Sequence, residues 1–353
     1  MNRRFLPTLD RRSVTLILLA LLGAALALVF ALPHRWTDYE HRDYATYWLA
    51  GRMVLDGADP YSSSAIAAAA HKLSGSTLQP YFSYPPHSLL LFAPLGALPL
   101  SGSFWVYQAL GAGLFWVAAR PYLPARFPAV ALISPAALIS FDFGQSGLLF
   151  GALWMFAFSG SALALACLTF RPQLGVLAGV EALRRETVVR AILAMLGIAA
   201  VTTLAFGPAV WPKWANELIA HSRFLGTNVI FYRQMVTPVV GYGLIGWAMF
   251  AGGAAFFLWR GFNVFTAATA AFLVSPHGLH YDMPIVCFGC AVVLFKHWDE
   301  ASLHQRIALG LGYLSPGIVF FGTWLIPPIL LLALREQVQL TRKSPPPTPL
   351  ATD

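Results

Sequence analysis

From Val14 to Leu32 the chain runs 19 residues without a charge. At ~1.5 Å of helix per residue, such a run covers the ~30 Å hydrocarbon layer of a bilayer unaided. It follows Arg3, Arg4, Arg11 and Arg12 and exceeds the ~7–15 apolar residues of a secretory signal peptide, so it reads as an uncleaved anchor. Further apolar segments follow to the end of the chain. With 58% hydrophobic and 11% charged residues and a mean hydropathy of +0.64, a soluble core is excluded, and the fold expected is an all-α polytopic membrane protein.

Punctuation by polar residues sets the topology. With the N-terminus cytoplasmic, Val14 to Leu32 exits and residues 33–86 form a first outer loop. His87 to Pro99, short and carrying Pro94 and Pro99, reads as an interfacial or re-entrant helix. Ser103 to Ala119 crosses inward, Phe127 to Ile139 returns, and Ser140 to Gly147 makes a short outer turn. Gly147 to Leu183 contains Arg171-Pro172 in its middle, which predicts a crossing followed by a broken hairpin of the kind that lines a cavity. Ala191 to Trp211, Val239 to Trp259, Val264 to Pro276 and Met283 to Phe295 alternate across the layer, and Ile307 to Leu334 closes with a hairpin. The sum is roughly nine to eleven transmembrane helices, with residues 1–334 as one multi-span domain and residues 335–353 as a disordered cytoplasmic tail. In this arrangement 15 of the 23 Lys and Arg residues are inside, as the positive-inside rule requires. The net charge of +8 is spread over short loops and orients helices, so nucleic acid is not expected as a partner. Cys167, Cys287 and Cys290 lie in apolar segments and read as buried thiols.

The spans are nearly bare of ionisable residues, whereas Asp43, Asp142, Arg171, His277, His280 and Asp282 all map to the outer face or its edge. Such a placement suits a substrate with a lipid tail in the bilayer and a polar head in water. Asp43 opens the stretch "DYATYWLAGRMVL", which reads as an amphipathic interfacial helix. The residue itself is either a solvated loop acid or a general base at the bilayer edge. Asp38, Glu40, Asp56 and Asp59 compete with it, though Asp59-Pro60-Tyr61 reads as a turn. Arg171 is either a snorkelling arginine or a guanidinium that binds a lipid phosphate. Gln145 is a turn amide or a donor to a sugar hydroxyl. "SPHGLHYD" (Ser275 to Asp282) caps a helix boundary, binds phosphate, orients an acceptor or holds a metal. No phosphate-cradling lysine loop, dinucleotide fingerprint, nucleophile elbow or paired-histidine zinc helix is present.

Five pieces, "RDYATYWLAGRMVLDGADPY", "YPPHSLLLFAPLGALP", "FGQSGLLFGAL", "FRPQLGVLAGVEALRR" and "SPHGLHYD", occur in an order that resembles glycosyltransferase family 87. These are membrane-embedded GT-C-type mannosyltransferases that use polyprenyl-phosphate mannose. The resemblance implies a GT-C-like bundle with interfacial helices in its outer loops, set in the cytoplasmic membrane with both termini inside and the active site facing out. It implies hexosyl transfer to a glycolipid or glycan acceptor by inverting displacement, with the first-loop aspartate, here Asp43, as base. Arg171, His277 and His280 become the candidate donor-phosphate contacts, and Tyr84, Gln145, Tyr281 and Asp282 the candidate substrate contacts. The family often has Lys where Arg171 stands and an acid where His280 stands. No cofactor is firmly implied; a divalent metal stays open. A transporter or flippase for lipid-linked saccharides is the alternative, and it calls for inner-facing polar sites as well.

Overall fold

The computed structural model describes residues 10–31, 38–75, 81–123, 132–227 and 235–343, without the side chains of 29–31, 220–227 and 343. Arg3, Arg4, Arg126, Arg233, parts of the two large loops expected on the outer side and the Pro-rich end after Lys343 lie outside it. Among the described residues the regular structure is sixteen α-helices with short 3-10 turns, and an isolated bridge joins Met235 to Leu279.

The centre is built from α7 (Gly147–Phe158), α13 (Val264–Val274), α14 (Pro284–Lys296), α15 (Leu303–Ile318) and α16 (Ile326–Lys343). In α13 every residue from Val264 to Leu273 is buried, and in α14 every residue from Pro284 to Leu294. A helix apolar on all sides has no face to offer water and belongs in an interior. Asn263 starts α13, its Oδ1 accepting from the N–H groups of Phe265 and Thr266 at 2.9 and 3.1 Å, while Trp154 Nε1 on α7 donates to the Val264 carbonyl at 2.9 Å. The cap and the indole lock two central helices together.

Among the described residues three helices are long and apolar enough to cross a membrane: α1 (Arg11–Ala31), α10 (Val188–Phe206) and α12 (Pro238–Arg260). They lie at the periphery, and α12 buries only Pro238 and Ala254 of its 23 residues. Such an apolar surface needs lipid around it. The predicted broken hairpin is present as α7, α8 (Ala162–Cys167), a 3-10 turn over Leu168–Phe170, Arg171 in non-helical backbone (φ −135°, ψ 72°) and α9 (Pro172–Arg184). Pro172 starts α9 because its missing N–H is no loss in a first turn.

A second apolar cluster joins α2 (Tyr44–Leu55), α4 (Leu89–Gly96) and α5 (Leu100–Ala119) to Tyr61 and Phe82. Here α2, expected as an amphipathic interfacial helix, is buried over most of its surface. Tyr44, Ala45, Thr46, Tyr47, Leu49, Ala50, Gly51 and Met53 are all buried, because α4 packs directly on it. The backbones touch at two glycines: a Cβ on Gly51 would overlap the Phe92 carbonyl, and one on Gly96 the Arg52 amide. α3 (Ser63–Ser74) and α11 (Val210–Thr227) pack around this cluster, Trp214 Nε1 of α11 donating to the Ser83 carbonyl at 3.1 Å.

The end of the chain corrects the tail predicted from residue 335. Helix α16 continues to Lys343, and Glu336, Gln337, Val338 and Leu340 are buried. The polar members find partners on other helices: Gln305 Nε2 donates to Glu336 at 2.9 Å, and Thr269 Oγ1 to Gln337 at 3.0 Å. Cys287 and Cys290 are free and buried as expected, and Cys167 is half-buried.

Candidate active site

Four helices begin at one place. Asp43 is the N-cap of α2, Ser146 of α7 and Arg171 of α9, while Asp282 lies in the 3-10 turn before Met283, the N-cap of α14. Each N-terminus carries orphan N–H groups and the positive end of a helix dipole. The side chain of Ser146 caps nothing, its hydroxyl being used by Arg171 and Tyr84 instead.

Arg171, 8% exposed, sits at the hub. Its Nη1 donates to Asp282 Oδ2 at 2.6 Å, Nε to Ser146 Oγ at 3.1 Å, and Nη2 to Tyr84 Oη at 2.6 Å and Gln145 Oε1 at 3.1 Å. The guanidinium also lies over the rings of Tyr84 and Tyr281, 5.4 and 6.0 Å from their centroids. Burial works against its charge, yet Asp282 and the surrounding tyrosines hold its pKa well above the ordinary value. Burial lifts the Asp282 carboxyl against the opposite pull of Arg171 and of the Leu279 N–H, which donates to Oδ2 at 3.1 Å. The pair is a buried arginine with its counter-ion.

Asp43, half-buried, is reached through Gln145, whose Nε2 donates to Asp43 Oδ2 at 2.6 Å. Gln145 Oε1 accepts from the Tyr47 hydroxyl at 2.6 Å. Burial raises the Tyr47 phenol well above its usual pKa, so it stays a protonated donor. The register of Asp43 against Gln145 is set by the neighbouring residues. Arg42 and Asp142 form a buried ion pair at 3.0 Å, and the same guanidinium bonds the Asp142 carbonyl. Gly144, at φ 70°, ends α6 (Pro135–Phe143) and lets the chain turn against Tyr44, whose Cβ leaves no room for another.

Asp43, Tyr84, Gln145, Arg171 and Asp282 thus meet in one hydrogen-bonded group, with Tyr281 beneath Arg171. His280 is fully buried beside that group, edge-on to Phe143 and against Tyr281. His277 is half-buried in a turn, its N–H donating to Ser275 Oγ at 3.2 Å and its carbonyl accepting from that hydroxyl at 2.6 Å. Two of the four competing acids are engaged elsewhere: Asp56 pairs with Arg52 at 3.1 Å, and Asp59 pairs with Lys213 at 3.0 Å while accepting from the Tyr61 N–H at 3.0 Å, the turn its sequence predicts. Tyr47, Ser146 and the Arg42–Asp142 pair were missed from sequence. Tyr47 stands one helical turn after Asp43, and that i, i+4 spacing is a signal that identifies it. His87 also joins the edge of the site, Nε2 to Thr169 Oγ1 at 3.1 Å and stacked on Phe170, with burial lowering its pKa to about 4. Among the described residues no group of three or more His, Cys, Asp or Glu is placed to hold a metal.

No curated protein and no solved structure matches the chain. The family model of glycosyltransferase family 87 matches residues 82–296, which takes in Tyr84, Gln145, Arg171 and the His277–Asp282 turn. The chain belongs to glycosyltransferase family 87 and is a multi-pass membrane glycosyltransferase of the GT-C type.

Proposed function

We propose that the protein transfers a hexose, mannose by the family resemblance, from a polyprenyl-phosphate donor to a glycolipid or glycan hydroxyl at the outer face of the cytoplasmic membrane. The observation that carries this reading is the convergence of four helix N-termini on a buried arginine, with a carboxylate one hydrogen-bonded residue away. Helix N-termini and a guanidinium favour an anion such as a phosphodiester. Arg171 uses four of its five N–H groups on protein partners among the described residues, which leaves one Nη1 hydrogen for a phosphate oxygen.

In the reaction Asp43 takes the proton of the acceptor hydroxyl as that oxygen bonds to the anomeric carbon. The bond from that carbon to the phosphate oxygen breaks, and its electron pair leaves with the polyprenyl phosphate. A phosphate needs no general acid to depart, so one base and a cationic phosphate site suffice for a single inverting displacement. Tyr281 lies beneath Arg171 at the phosphate end, with His280 buried against Tyr281 and His277 bonded to Ser275, and Tyr84, bonded to Arg171, lines the approach. Tyr61 supports that approach by donating to the Tyr84 carbonyl at 3.0 Å.

The test is transfer by the purified protein in lipid, with synthetic polyprenyl-phosphate mannose, glucose and galactose and a panel of lipid-linked acceptors, read by mass spectrometry. A glycosylated acceptor together with free polyprenyl phosphate is the expected result. Donor binding or translocation with no new glycosidic bond would favour the flippase alternative.

A further inference from the structure

Gln145 joins the two halves of the network, and its amide has a fixed polarity. A guanidinium has only donors, so the end of the amide facing Arg171 Nη2 at 3.1 Å is the oxygen. The same oxygen accepts from Tyr47 at 2.6 Å, which fills both lone pairs. The amide nitrogen is left pointing at Asp43 Oδ2, 2.6 Å away. Backbone bonds hold the residue too, its N–H donating to the Ser140 carbonyl at 2.8 Å and its carbonyl accepting from Ser140 Oγ at 3.2 Å. The residue is 4% exposed.

We infer that Gln145 and Tyr47 are positioning residues that set the orientation of the Asp43 carboxylate, in place of the direct sugar contact expected of Gln145 from sequence. This rests on Asp43 being the base. Because Tyr47 and Arg171 share one acceptor, Asp43 is oriented by the same residue that senses the phosphate site. Tyr47 reaches Asp43 through Gln145, and its hydroxyl also lies 3.4 Å from that of Tyr84.

The experiment compares the parent, Tyr47→Phe, Gln145→Leu and the double variant in lipid, using the three polyprenyl-phosphate hexoses and acceptor panel above. Gln145→Leu is expected to lower kcat by about 10²-fold, the scale of a misplaced reacting group, with donor KM within about twofold. Tyr47→Phe is expected to lower kcat less, and to cause no further loss in the Gln145→Leu background. A raised KM at constant kcat would make Gln145 a substrate contact, and multiplicative losses would separate Tyr47 from it; either overturns the inference. Thermal melting of the same four proteins reads the lock without any substrate. Gln145→Leu leaves the Tyr47 hydroxyl, among the described residues, only the long bond to the Tyr84 hydroxyl at 3.4 Å, so the double variant should melt above Gln145→Leu alone, and an additive fall overturns the lock. Transfer that survives Asp43→Asn would instead count against Asp43 as base and leave the lock as melting reads it.

Discussion

Arg171 donates four hydrogen bonds from one guanidinium, and a lysine cannot reproduce that fork even though it keeps the charge. Arg171→Lys is therefore expected to lower transfer by about 10–10²-fold, because Gln145 and Ser146 lose their donor while the phosphate keeps a cation. Near-parental kcat in that variant would show that charge alone suffices. Asp282→Ala leaves a guanidinium buried beside a counter-ion that is gone, and breaking a buried pair costs about 3–5 kcal/mol. It should melt lower than any other single variant of the network, and an unchanged melting temperature would contradict the buried pair. At this scale much was legible. Asp43, Gln145, Arg171 and Asp282 stood out because polar residues are scarce in so apolar a chain. The ion pair Arg42–Asp142 was hidden because its partners are 100 residues apart. So was the occupancy of Gln145, since a single sequence does not show which groups fill an amide.

Two elements carry predictions of their own. The close approach of α2 and α4 at Gly51 and Gly96 leaves no room for a methyl group. Gly51→Ala is expected to destabilise the protein by about 1–3 kcal/mol and to lower transfer by moving Asp43 with its helix; a parental melting temperature would refute the contact. Helix α11 docks through Lys213, Trp214 and Glu217, the last buried, its pKa raised to about 7 by burial and by Asp59. A carboxyl raised above its unfolded value stabilises the fold below that value and loses the contribution as pH rises through about 7. Glu217→Gln should accordingly raise the melting temperature at pH 8 and leave it unchanged near pH 4; equal melting at both values would contradict the burial. The helical elements themselves were readable from runs of apolar residues and from Pro172 in the broken hairpin. The last turns of α16 were not, because Glu336 and Gln337 look like a solvated tail until Gln305 and Thr269, distant in sequence, are found beside them.

For the molecule as a whole, we read the chain to Lys343 as one multi-span domain with its site facing outward. Arg12, at the start of α1, pairs with Asp299 between α14 and α15, which puts these two ends on one face of the bundle. Asp56, on the first outer loop, belongs to the opposite face in this orientation. A membrane-impermeant thiol reagent applied to whole cells is expected to label Asp56→Cys and spare Asp299→Cys, and the reverse pattern would invert the topology. The positions of Lys and Arg along the chain give the expected orientation, whereas the number of crossings was not legible, since central helices such as α13 and α14 are shorter than a lone span and are recognised only by what they pack against. The most direct measurement is a single turnover of polyprenyl-phosphate mannose by the parent and by Asp43→Asn in lipid, with donor binding measured on both. Donor binding retained in the variant while transfer falls by about 10²–10⁴-fold, the usual contribution of a general base, is the predicted result; transfer by Asp43→Asn at the parental rate would contradict it.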